Sequence, residues 1–105
     1  SIVSSYHTGI DIAANTGTEI QSAHHGKVTM AKAFSSYGNC VMIEEGNLLT
    51  VYAHCSSLNV VEEQEVKKGD TIAKVGMTGN ATGPHLHFEI RYEGRYVDPQ
   101  SVLEF

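Results

Sequence analysis

The sequence predicts a mostly β domain, an antiparallel sheet of short strands joined by glycine turns with little helix. Ten glycines against two prolines punctuate segments rich in Val, Ile, Thr and Tyr, which is the pattern of strands separated by turns. The run 85–92 alternates in polarity as a half-buried strand does. No stretch carries sustained helical spacing. The best candidate, 56–61 leading into 62–66, is short and rich in β-branched residues, so it reads as a turn or a single helical turn. Strands are expected at 18–23, 26–32, 39–44, 48–54, 71–75, 85–92 and 95–97.

A chain of 105 residues fits one domain spanning 1–105, because one hydrophobic core is the usual solution at this size. No apolar run approaches the roughly 18 residues a membrane span needs, so the domain itself is not expected to insert in a membrane. A net charge of -5 argues against nucleic acid, whose binding calls for clustered Lys and Arg. Ser1 is not an initiator Met and no signal peptide precedes the first motif. The chain therefore reads as a domain excised from a longer exported or membrane-anchored protein. Cys40 and Cys55 could form a disulfide or remain buried thiols; reduced, packed thiols are the preferred reading.

Six histidines exceed what packing requires, and three local patterns place them. In His7-Thr8-Gly9-Ile10-Asp11, an imidazole and a carboxylate are ligand types that zinc accepts, and Gly9 gives the backbone freedom to converge them. In His85-Leu86-His87-Phe88-Glu89-Ile90, strand alternation sends His85, His87 and Glu89 to one face and the apolar residues to the other. Either histidine could then be a ligand and the other a neighbouring base, with Glu89 as an acceptor that orients one of them or as a solvated carboxylate. In Tyr52-Ala53-His54 the same alternation places Tyr52 and His54 on one face. His24 and His25, beside Gly26, read as solvent-exposed turn residues.

Together these patterns supply three ligands of mixed imidazole and carboxylate type with spare histidines, the composition of a catalytic zinc site. Three protein ligands leave a fourth position for a water whose pKa falls to about 7. The spare histidines can take its proton, stabilise the oxyanion on an attacked carbonyl or protonate a departing amine.

At these motifs the sequence resembles the lysostaphin/LytM-type zinc metallopeptidases, which carry H-x-x-x-D near the start and H-x-H near the end. The likeness extends through Tyr37-Gly38-Asn39, Tyr52-Ala53-His54, Val66-Lys67-Lys68-Gly69-Asp70, Gly76-Met77-Thr78-Gly79 and Val97-Asp98-Pro99. The resemblance implies a hybrid β-barrel/sandwich architecture, Zn²⁺ held by His7, Asp11 and His87, and His54 and His85 as the catalytic histidines. It further implies an endopeptidase acting on the stem or cross-bridge peptides of bacterial peptidoglycan, outside the cell, in the wall or at the outer face of the cytoplasmic membrane. Other readings are a noncatalytic zinc-containing wall-binding or scaffold module that works with envelope protein partners, and a carrier domain. The carrier is disfavoured because Lys27 and Lys32 lack the flanks of an attachment lysine and a phosphocarrier has no use for His85 beside His87.

Overall fold

A computed structural model of the protein describes the backbone of residues 2–5 together with residues 9–79 and 81–97. Ten strands follow one another: β1 (Ile2–Ser5), β2 (Gly9–Ala13), β3 (Glu19–Gln21), β4 (Gly26–Ala33), β5 (Asn39–Glu45), β6 (Leu48–Leu58), β7 (Glu65–Val66), β8 (Thr71–Val75), β9 (His85–Tyr92) and β10 (Arg95–Val97). One 3-10 turn, Ser35–Tyr37, is the sole helical element among the described residues. All pairings are antiparallel, in the order β1-β2-β9-β6-β5-β4-β7, with β10 on β9 and β8 joining β3 to β6. The sheet runs between two different end strands and does not close.

The mostly β expectation holds, and β8, β9 and β10 fall at the predicted residues. Three strands were not expected from the sequence, β1, β2 and β7, and the first two form the flank on which Asp11 sits. Contrary to the turn expected at 56–61, β6 continues to Leu58 because β8 pairs with it there, Ser57 opposite Lys74 and Leu58 opposite Ala73. Sheet partners outweigh the weak local preferences of so short a segment.

Register divides the central sheet into two chemically different faces. On one, Ile10, Tyr52, Phe88, Ile90, Val41 and Ile43 enter the main core with Val28, Ile72 and Val75. Each such fully buried side chain contributes about 1.5–3 kcal/mol relative to exposure. On the other face a smaller cluster of Cys40, Met42 and Val51 lies beside the polar row of β9. Tyr52 caps a polar seam within the core: Ala23 N–H donates to its hydroxyl at 3.0 Å, and Thr50 Oγ1 lies 3.0 Å away. His24 joins this seam through Nε2 to Thr50 Oγ1 at 2.8 Å and Nδ1 to Glu45 at 3.1 Å. It is therefore a packed residue, with its side chain only 11% exposed, and the solvent-exposed reading is right for His25 alone, at 74%.

Cys40 and Cys55 are both free and fully buried. They belong to different clusters, Cys40 to the smaller one and Cys55 to the main core, so the sheet stands between them. Burial pushes each thiol up to about 12, with Cys55 adding to the effect on Cys40. The native protein is expected to resist a disulfide-exchange reagent and to release two titratable thiols on denaturation without reductant. A titre of zero in the denatured, unreduced chain overturns this. Because the folded state holds these protons more tightly than the unfolded state, their contribution to stability is full below the unfolded thiol range and is lost progressively as pH rises from there to about 12.

Candidate active site

The cleft lies on the polar face, where β2, β9 and β6 run side by side. Asp11 pairs with His87, and His87 in turn with Ala53, so backbone register alone brings two residues 76 positions apart into contact. His87 Nδ1 lies 2.7 Å from Asp11 Oδ1, and its Nε2 lies 2.8 Å from Glu89 Oε2. His85, two residues back on the same face, has its Nε2 3.7 Å from Asp11 Oδ1. Asp11, Tyr37, His54, His85 and His87 line one open cleft together with Ser36, Ala81 and Thr82.

His54 reaches this cleft through an irregularity, not through alternation. The β5–β6 register runs from Val41 opposite Tyr52 to Asn39 opposite Cys55. Ala53 and His54 thus both oppose Cys40, a bulge in β6, and His54 sits at φ 64, a left-handed conformation that non-glycine residues rarely adopt. The extra residue reverses the face: Tyr52 points into the core beside Phe88, whereas His54 turns to the cleft, its ring centroid 4.9 Å from that of His85. The expectation that Tyr52 and His54 share a face is corrected by this bulge. Strain of this kind is held where surrounding contacts over-determine it.

Those contacts come from Thr78 and Asn39. Thr78 Oγ1 donates to Cys55 O at 2.7 Å and accepts from Asn39 N–H at 3.0 Å, while Asn39 Nδ2 donates to the same Cys55 carbonyl at 3.1 Å. The carbonyl of Thr78 accepts from His54 Nδ1 at 2.7 Å. Holding these loops together requires two glycines: a Cβ on Gly38 would lie 2.4 Å from Thr78 C, and one on Gly79 2.3 Å from Gly38 N. Both also have positive φ, so no other residue fits either position without displacement. Thr78, Asn39 and the glycine pair fell within strings that carried the family resemblance, but no spacing rule marked them as site-building.

Tautomers follow from the acceptors. A backbone carbonyl only accepts, so Nδ1 of His54 is a donor to Thr78 O and Nδ1 of His85 a donor to Gly83 O, the latter at 2.9 Å. In each neutral ring Nε2 is then the basic atom. Burial lowers the pKa of His54, outweighing the opposing bond to Thr78, and the neighbouring His85 and His87 lower it further. His54 is accordingly neutral at neutral pH. His87 differs: burial would lower its pKa, but hydrogen bonds to Glu89 and Asp11 and the charges of both carboxylates prevail and raise it. Glu89 is fully buried. Burial alone would raise its pKa, yet bonds from His87, Tyr37 and Arg91 hold it below the usual carboxylate range.

The set of donors fits a zinc ion in kind: a carboxylate oxygen and an imidazole Nδ1 converge from adjacent strands, and the second ring nitrogen is backed by a carboxylate, as metal-ligating histidines commonly are. The remaining candidate ligand, His7, lies outside the described residues. Among the described residues no group of three His, Cys, Asp or Glu is arranged to hold a metal. The two strand histidines also differ in their hydrogen-bond partners. His85 spends Nδ1 on a backbone carbonyl, whereas Nδ1 of His87 faces Asp11.

An antiparallel scaffold thus sets paired acidic and imidazole donors beside two tautomer-fixed histidines in one cleft. Residues 5–99 match the model of peptidase family M23, and the chain belongs to that family. It is 45% identical over 97 residues to the DD-carboxypeptidase/endopeptidase Mpg of Neisseria meningitidis, covering 91% of this chain and 22% of Mpg. It is 44% identical over 97 residues to the murein hydrolase activator NlpD of Escherichia coli, covering 90% of this chain and 25% of NlpD. The chain thus spans about a quarter or less of these relatives. Among solved structures, the catalytic domain of lysostaphin from Staphylococcus simulans superposes with a TM-score of 0.85 at 31% identity, over 90% of this chain and 77% of that one. A zinc-containing peptidase from Vibrio cholerae gives 0.83 at 39% identity, over 87% of this chain and 28% of that one.

Proposed function

We propose that this chain is a zinc-dependent endopeptidase domain that hydrolyses peptide bonds in the stem or cross-bridge of bacterial peptidoglycan, working in the cell envelope. The observation that carries the reading is the convergence of Asp11, His87, His54 and His85 in one open cleft. His7, Asp11 and His87 would hold zinc, and His54 and His85 would act on the substrate. When bound, zinc supplies Lewis acidity, polarising a carbonyl and lowering the pKa of a water. The chain's own residues do the rest. Nε2 of His54, basic because Nδ1 is committed to Thr78 O, takes the proton of the attacking water. His85, its Nδ1–H held by Gly83 O, acts in its protonated form: its Nε2–H stabilises charge developing on the scissile carbonyl oxygen or is given to the departing amine. The likeness to Mpg and to lysostaphin supports this assignment, as does the zinc in the Vibrio cholerae relative.

The likeness to NlpD favours a second reading, in which the domain keeps the fold and activates another wall hydrolase. Incubation of the zinc-loaded chain with purified peptidoglycans of different cross-bridge, followed by mass analysis of the fragments, separates the two. New amino termini at defined bonds are expected, and the bond that is cut names the specificity. If no fragment forms while the chain stimulates a separate hydrolase, the activator reading replaces this one.

A further inference from the structure

Behind His87 stands a triad of the buried Glu89 with the half-buried Tyr37 and Arg91. Glu89 shows 0% exposure and points its two oxygens in different directions. Its Oε2 accepts from the Tyr37 hydroxyl at 2.6 Å and lies 2.8 Å from His87 Nε2, while Oε1 accepts from Arg91 Nη2 at 2.9 Å and Nε at 3.2 Å. Arg91 Nη2 also donates to the Tyr37 oxygen at 3.1 Å, and the guanidinium lies 4.9 Å over the Tyr96 ring. The Tyr37 ring stacks on that of His87 with centroids 6.0 Å apart. An isolated buried carboxylate is too costly to keep. Here every acceptor direction is taken, and among the described residues no buried side-chain polar atom lacks a partner.

We infer that Glu89, clamped by Tyr37 and Arg91, is the positioning residue that makes His87 a ligand through Nδ1. A carboxylate can only accept, so Glu89 holds the Nε2 proton, and Nδ1, whose N–H points at Asp11 Oδ1 in the metal-free chain, is the nitrogen left to exchange its proton for a metal. Arg91 fixes which oxygen does so, by occupying the other. Tyr37 holds the accepting oxygen from one side and the imidazole plane by stacking. This inference rests on the zinc reading proposed above and assigns the ligand tautomer within it.

The near-isosteric Glu89→Gln separates orientation from packing. Arg91 claims the single amide oxygen, which turns the NH₂ toward His87 Nε2. The ring must then accept there and carry its proton on Nδ1, the wrong atom for a ligand. Zinc affinity is to be measured by chelator competition, alongside the unfolding temperature of the metal-free chain, for the parent, Glu89→Gln, Tyr37→Phe and a core control, Ile72→Val in β8. Glu89→Gln is expected to weaken zinc by roughly 10- to 100-fold and Tyr37→Phe by less. Ile72→Val should lower the unfolding temperature yet bind zinc as the parent does. Parent affinity in both site variants overturns the inference and leaves the zinc reading intact, as does equal weakening in the control. A parent chain that binds no zinc overturns both. Should Glu89→Gln fail to fold, Tyr37→Phe decides, since it leaves Glu89 in place, and parent affinity there overturns the clamp.

Discussion

Asp11→Ala and His87→Ala chains are expected to emerge from dialysis without zinc and without measurable peptidase activity, while the parent and His54→Ala each retain one zinc per chain. Asp11 on β2 and His87 on β9 are direct cross-strand partners, and their donor atoms lie 2.7 Å apart, closer than His85 Nε2, which lies 3.7 Å from Asp11. Removing either leaves two ligands, too few to hold the ion against dilution. The same holds for His7→Ala. His54 spends Nδ1 on a backbone carbonyl, and its loss takes nothing from the donor set. Atomic absorption on the dialysed proteins measures this directly, and full occupancy in His87→Ala would falsify the ligand assignment.

Replacing His54 or His85 by Ala is expected to lower turnover by about 10²-fold or more, the scale of losing one acid–base or oxyanion group, with zinc content and fold unchanged. Both rings have Nδ1 tied to a carbonyl, so each offers one defined nitrogen to the substrate. Since burial holds His54 below the ordinary imidazole range, the base form is present at neutral pH. The rate should fall only as acidity increases beyond that range, and His54→Ala should lose this limb of the profile. Steady-state kinetics on a peptide whose cleavage has been verified by mass analysis provide the check. Parent rates in both variants would remove the hydrolytic mechanism and bring the activator reading forward.

Much of this arrangement was legible before any coordinates. Periodicity alone determined that Phe88 and Ile90 face the core while His85, His87 and Glu89 share the other side, because a strand alternates whatever its neighbours are. Residue chemistry marked His7, Asp11 and the strand histidines as zinc-type donors, and the family likeness separated ligand from base. Tertiary structure decided what depends on pairing. That Asp11 faces His87 follows from a strand partnership across most of the chain, which no local window contains. That His54 enters the cleft follows from a bulge at positive φ, where one inserted residue reverses the alternation that the sequence predicts. That Glu89 is buried and not solvated follows from Tyr37 and Arg91 arriving from other points of the chain to satisfy it, since a carboxylate leaves water only where its partners are already in place.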